Sequence, residues 1–173
     1  RLTALLDGHG GDAIGVISSA RMTNEENYLA QKFTRTVLGC NNIDNCSRLC
    51  HAPSAAGLTA SFGLAGGTNA LEDVDLADCV LLAGANPTEA HPVVGARIKQ
   101  RVLQGARLVV VDPRRTELAA LADVHLRNRP GTNVAVFNAL AGLLIAHDYL
   151  DENFLAARAS SFDELTALLA EQS

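Results

Sequence analysis

The sequence predicts an α/β fold: a mostly parallel sheet with helices on both faces, Rossmann-like, forming part of a larger subunit. Three observations carry this. Short, continuous hydrophobic runs rich in β-branched residues, DAIGVISS at 12–19, CVLLA at 79–83 and RLVVV at 107–111, have the character of strands buried on both sides. Between them lie longer stretches with apolar residues at helical spacing. The two kinds alternate along the chain, as they do in βαβ units.

Taken in order, the run at 12–19 is bounded by Gly10-Gly11 before it and Arg21-Met22-Thr23 after it, and reads as a buried strand. A helix follows from Asn24. Asn or Thr serves as its cap, Glu25 and Glu26 sit near the positive end of its dipole, and Leu29, Phe33 and Val37 recur at helical spacing until Gly39 stops it. Asn41 to Arg48 is polar and turn-rich, which predicts a loop, and Pro53 and Ser54 open a further helix through Leu58. Gly63 to Thr68 is a glycine-rich turn and Leu71 to Leu76 a short helix. Cys79 to Ala83 is a second buried strand, and Pro92 to Leu103 is a helix ended by Gly105. Arg107 to Val111 is the third strand, Glu117 to Ala122 a turn or two of helix, and Val124 to Leu126 a short fourth strand. Gly131-Thr132-Asn133 begins a long helix to about His147, and Glu152 to Ala157 and Phe162 to Leu169 are helical.

The chain has 173 residues, 48% of them hydrophobic and 19% charged, which suits one globular domain with a real core. No apolar run approaches the roughly 20 residues of a membrane helix. A formal charge of -5 argues against a nucleic-acid surface but leaves small phosphorylated ligands open. The chain opens on Arg1 and reads as an internal fragment of something longer. Its cysteines, at 40, 46, 50 and 79, lack the paired C-x2-C spacing of structural zinc, and a core of this size needs no disulfides. Reduced thiols are expected, and with them a cytoplasmic location, the periplasm being the alternative.

Chemistry concentrates at 41–57, NNIDNCSRLCHAPSAAG, around Cys50 and His51. A thiol beside an imidazole first reads as a nucleophile and its base. No third orienting residue or acyl-transfer signature accompanies it. Elsewhere, three strands exit into polar turns: Ser18-Ser19-Ala20-Arg21, Gly84-Ala85-Asn86-Pro87 and Asp112-Pro113-Arg114. The carboxyl ends of parallel strands are where open α/β sheets hold ligands, so all three are expected to face one crevice. Neither G-x-G-x-x-G nor a P-loop is present.

The segments SSARMTNEENYLAQKFTR, NNIDNCSRLCHAPSAAGL, GANPTEAHP, VVDPRRTELAALAD and PGTNVAVFNAL, in this order, resemble the catalytic subunit of molybdenum- or tungsten-dependent formate dehydrogenases, within the molybdopterin oxidoreductases. The resemblance implies that residues 1–173 are a molybdopterin-guanine-dinucleotide-binding α/β domain fragment carrying the metal-ligand loop at 41–57. It implies that Cys50 binds the metal of a bis-(molybdopterin guanine dinucleotide) centre, a role suited to a soft thiolate. His51 then handles the proton released when formate becomes carbon dioxide. Related nitrate reductases typically carry methionine after the cysteine, so His51 favours formate over nitrate. A third reading, a non-catalytic domain like the cofactor-free homologue in respiratory complex I, would not need the pair.

By the same resemblance, Arg21 and the turn Gly84, Ala85, Asn86, Pro87, Thr88 and Glu89 wrap the pterin and pyrophosphate. Asp112, Arg114, Gly131, Thr132 and Asn133 hold the guanosine end. The family usually has threonine at the position of Cys40 and commonly aspartate at that of Asn133, whose amide offers guanine one acceptor oxygen and a donor. A 4Fe-4S cluster is implied outside the chain, with partner subunits or domains carrying iron–sulfur or flavin centres.

Overall fold

The computed structural model describes residues 1–171. They divide into two compact units, the first spanning Arg1–Thr68 and the second beginning at Asn69. Both are built from helices and parallel strands, the α/β class expected.

In the first unit, helix α1 (Leu2–His9) leads through a 3-10 turn (Gly11–Ala13) into strand β1 (Val16–Ser18). Helix α2 (Asn24–Thr36) starts where the sequence places it. Thr23 Oγ1 accepts the Glu26 N–H and the Glu26 carboxylate accepts the Thr23 N–H, a reciprocal capping box. The chain then forms strand β2 (Ile43–Asn45), which pairs in parallel with β1 in the register Val16↔Ile43 to Ser18↔Asn45. Helix α3 (Ser47–Cys50) and helix α4 (Ala52–Phe62) follow, and Gly63 closes α4 in the left-handed region. The small core comprises Ile14, Leu38 and Cys40 with Leu6 and Val16 against them. Gly11 lies so close to the Leu38 carbonyl that a Cβ there would overlap it, so only glycine lets the 3-10 turn seat on this core.

One expectation changes here. The polar stretch 41–48 is not a loop: Ile43–Asn45 is β2 and Ser47–Cys50 is α3. A three-residue strand is held by its backbone bonds to β1, so its side chains need not be apolar. β1 and β2 form a two-stranded sheet of their own, and the Gly84 and Asp112 exits belong to the three-stranded sheet of the second unit.

The second unit holds a three-stranded parallel sheet, order β3-β4-β5, from β3 (Cys79–Ala83), β4 (Arg107–Val111) and β5 (Val124–Leu126). Helices α5 (Pro87–Ala90) and α6 (Pro92–Leu103) connect β3 to β4, and α7 (Glu117–Leu121) connects β4 to β5. Beyond the sheet come α8 (Asn133–Ala146), α9 (Glu152–Arg158) and α10 (Phe162–Ala170), where α10 packs on α8. The core is one face of the sheet. Leu108 and Val110 of β4 meet Ile98 of α6 and Leu118 and Ala119 of α7, with Val80, Leu82, Val94 and Val102 around them. Leu108, Val110 and Leu118 are fully buried, each stabilising by roughly 1.5–3 kcal/mol relative to exposure. Cys79 was expected in a buried strand, but β3 is an edge strand, and Cys79 and Leu81 project from the face opposite this core, where both are exposed.

Asp123 locks the β4–β5 connection. Its carboxylate accepts the Leu108 N–H at 2.8 Å and a guanidinium N–H of Arg107. These bonds, the Leu108 N–H first, hold its carboxyl below the usual carboxylate range. A folded pKa below the unfolded one gives stability that is present above the unfolded value and lost as pH falls through the folded one. Asp123→Asn should therefore lower Tm at pH 7, with the gap to wild type closing as pH falls from about 5 towards 2. Thermal melts across that range check it, and a gap that does not change with pH would count against it.

Candidate functional site

The first unit positions Cys50 through the end of β1. Ser18 O, the last carbonyl of the strand, accepts the Cys46 N–H at 3.0 Å, and Cys46 O accepts the N–H groups of Leu49 at 3.2 Å and Cys50 at 3.0 Å. Asp44 accepts from Arg48 Nε at 2.8 Å, tying β2 to α3. That bond first, then the Asn45 N–H, holds the Asp44 carboxyl below its usual range. Cys50 thus stands at the carboxyl end of α3 with an exposed, unbridged thiol.

His51 is the joint between α3 and α4. Its N–H donates to Ser47 O at 3.2 Å and its carbonyl accepts from Ala55 N at 2.8 Å, so the backbone is fixed on both sides while the residue is exposed. Arg21 sits on the turn leaving β1, where its N–H donates to Ser19 Oγ at 3.1 Å, and its guanidinium makes no ion pair among the described residues. Among the described residues, no group of three or more His, Cys, Asp or Glu side chains could hold a metal unaided.

In the second unit the Gly84 and Asp112 turns leave the same end of the sheet. Gly84 N donates to Val111 O at 2.8 Å, and Asp112 N donates to Leu126 O at 3.2 Å, so the ladder runs on into the exits of β3 and β4. Gly84 has φ of +57° and nothing within 4 Å of where a Cβ would stand, so its backbone is open to close approach. Ala85 and Asn86 lead into α5, which contains Pro87, Thr88 and Glu89. Among the described residues, Asn86 Oδ1 and Thr88 Oγ1 are buried with no hydrogen-bond partner.

Asp112 is buried, and its Oδ1 accepts the Arg114 N–H at 2.7 Å. This bond shapes the turn through Pro113, while the Arg114 Nε lies 3.8 Å away and the guanidinium stays exposed. His125 Nε2 bonds the Asp112 carbonyl at 2.8 Å. Further along, Gly131 has φ of +86° and Thr132 Oγ1 donates to Arg129 O at 2.7 Å, a tight corner that starts α8 at Asn133.

One residue at this corner escaped the sequence reading. Asn128 Nδ2 donates to Asn133 Oδ1 at 2.6 Å, and Asn128 Oδ1 is buried without a protein partner. The available signal was a polar residue two positions beyond the fourth strand.

The molybdopterin oxidoreductase family model matches residues 1–162. The F420-dependent formate dehydrogenase alpha subunit of Methanocaldococcus jannaschii is 44% identical over 158 residues, covering 91% of this chain and 24% of that protein. Formate dehydrogenase H of Escherichia coli is 41% identical over 165 residues, covering 95% and 23%. The solved structure of acetylene hydratase from Pelobacter acetylenicus matches with a TM-score of 0.67 at 26% identity, over 98% of this chain and 23% of that one. The chain thus spans about a quarter of the length of the relatives it matches.

The turn after β3 rests on a close approach. A Cβ on the buried Gly95 of α6 would come within 2.9 Å of Thr88 N and Cα and 3.0 Å of Pro87 C, all backbone atoms. Gly95→Ala should therefore push the Asn86–Thr88 turn outward and destabilise by about 1–3 kcal/mol. Urea unfolding checks this, and a variant as stable as wild type would contradict it.

Proposed function

The chain belongs to the molybdopterin oxidoreductase family, and on that ground we propose that it is a section of a formate dehydrogenase catalytic subunit, interconverting formate and carbon dioxide at a bis-(molybdopterin guanine dinucleotide) centre with molybdenum or tungsten. The observation that carries the reading is the exposed Cys50–His51 pair on a backbone fixed from both sides. Residues 1–173 are read as a dinucleotide-binding region with the metal-ligand segment at 41–57.

The residues suit the group on three counts. An exposed thiol is available as a soft ligand. Gly84 leaves open space for a phosphate to meet the backbone. Buried polar atoms of Asn86, Thr88 and Asn128 have no protein partner to give up. When bound, the cofactor supplies a metal centre able to take the two electrons of formate oxidation.

The chain's own residues do the rest. Cys50, as thiolate, is the protein's ligand to the metal. The His51 imidazole beside it would receive the proton that leaves formate. The Arg21 guanidinium, with no ion pair of its own, neutralises anionic pterin and pyrophosphate oxygens. The Gly84, Ala85, Asn86, Pro87, Thr88 and Glu89 turn supplies backbone N–H groups and the Asn86 and Thr88 oxygens. Asp112, Arg114, Gly131, Thr132 and Asn133 hold the guanosine end, and Asn128 adds the acceptor that an amide at Asn133 lacks. A 4Fe-4S cluster in the whole subunit and partners with iron–sulfur or flavin centres carry the electrons onward. A cytoplasmic location accords with four free cysteines.

The full-length protein should contain molybdenum or tungsten by elemental analysis and reduce a dye with formate faster than it oxidises a reduced dye with nitrate. A product with neither metal overturns the reading. Cys50→Ala should abolish turnover, and full formate turnover in that variant would remove Cys50 as the required metal ligand. His51→Gln should keep the metal and lower kcat by about a hundredfold or more. Wild-type kcat in that variant would remove His51 from proton handling.

A further inference from the structure

Cys46 makes bonds unlike those of a packing residue. Its N–H donates to Ser18 O at 3.0 Å, at the end of β1. Its Sγ accepts the Ala20 N–H at 3.3 Å and lies 3.9 Å from Ser19 Oγ, inside the turn that carries Arg21. Its carbonyl accepts the Cys50 N–H at 3.0 Å, one helical turn on. One residue is therefore bonded, by three different groups, to the segment bearing Arg21 and to the segment bearing Cys50.

We propose that Cys46 is a positioning residue that holds the Cys50 thiol in fixed relation to the β1 exit turn and so sets the geometry of the metal ligand. The inference rests on Cys50 as that ligand. The backbone bonds alone would fix α3 to β1, since any residue supplies an N–H and a carbonyl. The side chain adds what they cannot: it pins the Ser19–Met22 turn, which otherwise closes through the Met22 N–H to Ser19 O bond at 3.2 Å and the Arg21 N–H to Ser19 Oγ bond. The Cys46 sulfur, just ahead of α3, reaches the exposed Ala20 N–H; an alanine would hand that donor to water and release the turn from α3. Groups that orient a metal ligand without touching the metal act on affinity and activity together.

The test uses the full-length protein as Cys46→Ala and Cys46→Ser. In the metal-free form, amide hydrogen exchange in Cys46→Ala should quicken severalfold both at Ala20 and across 47–51, while Cys46→Ser, which keeps an acceptor, should stay near wild type. In the metal-loaded form, Cys46→Ala should lose about 10–100-fold in kcat with little change in KM for formate, and shift the paramagnetic resonance of the half-reduced metal. Serine should restore both. Exchange that quickens at Ala20 alone, an unaltered metal spectrum, or a serine variant as impaired as the alanine variant would each overturn the proposal. Should wild type hold neither molybdenum nor tungsten, the formate dehydrogenase reading fails, and the exchange data still decide whether Cys46 couples the two segments.

Discussion

Everything at the candidate site depends on parallel strand pairing continuing past the strands themselves. Strands that run parallel end at the same edge, and here the ladder carries on into the exits. Cys46 N bonds Ser18 O, Gly84 N bonds Val111 O, and Asp112 N bonds Leu126 O. The first residue of each exit is thus tied to the neighbouring strand by a backbone bond that is indifferent to side chain. Side chains beyond that point are free to serve chemistry, because the fold does not need them to hold the turn in place.

The side chains that shape these exits do so for local reasons. Gly84 and Gly131 occupy left-handed backbone that most residues avoid. The Asp112 carboxylate bends the chain by accepting the Arg114 N–H. Gly95, a full helix turn into α6, lets the Thr88 backbone settle against it. Behind them stands a core in which Leu108 and Val110 carry the central strand. Packing fixes the sheet, the sheet fixes its edge, and the edge fixes the exits.

That hierarchy explains what was legible in the sequence. The β4 run RLVVV and the amphipathic α6 announce themselves, since burial dictates their pattern, whereas α2 is announced by its capping box: its Leu29, Phe33 and Val37 are exposed and Thr34 is its buried residue. Ile43–Asn45 does not. Its strand is defined by hydrogen bonds to β1, and a composition of Asn, Asp and Ile carries no trace of a partner 27 residues earlier. Cys79 misleads in the opposite sense: CVLLA is apolar on both faces, but the described residues cover only the Val80 and Leu82 side. That the turns at Gly84 and Asp112 leave one end of a shared parallel sheet was legible from the alternation of strands and helices; that β1 pairs with β2 was not, because pairing is a long-range fact.

The same logic separates residues that shape the site from those with capacity left for a ligand. Asp112 is buried and already committed, one oxygen bonded to the Arg114 N–H, so any further acceptance must use its remaining lone pairs. Asn133 is committed too, its carbonyl engaged by Asn128. Asn86, Thr88 and Asn128 differ, each placing an oxygen in the interior with no protein partner. A ligand that bonds such an atom breaks nothing in the protein, whereas one that competes for Asp112 Oδ1 must first loosen the turn. Substitution at Asp112 therefore loosens the turn and substitution at Asn128 gives up its bond to Asn133, whereas the Asn86 and Thr88 oxygens hold no bond among the described residues to lose.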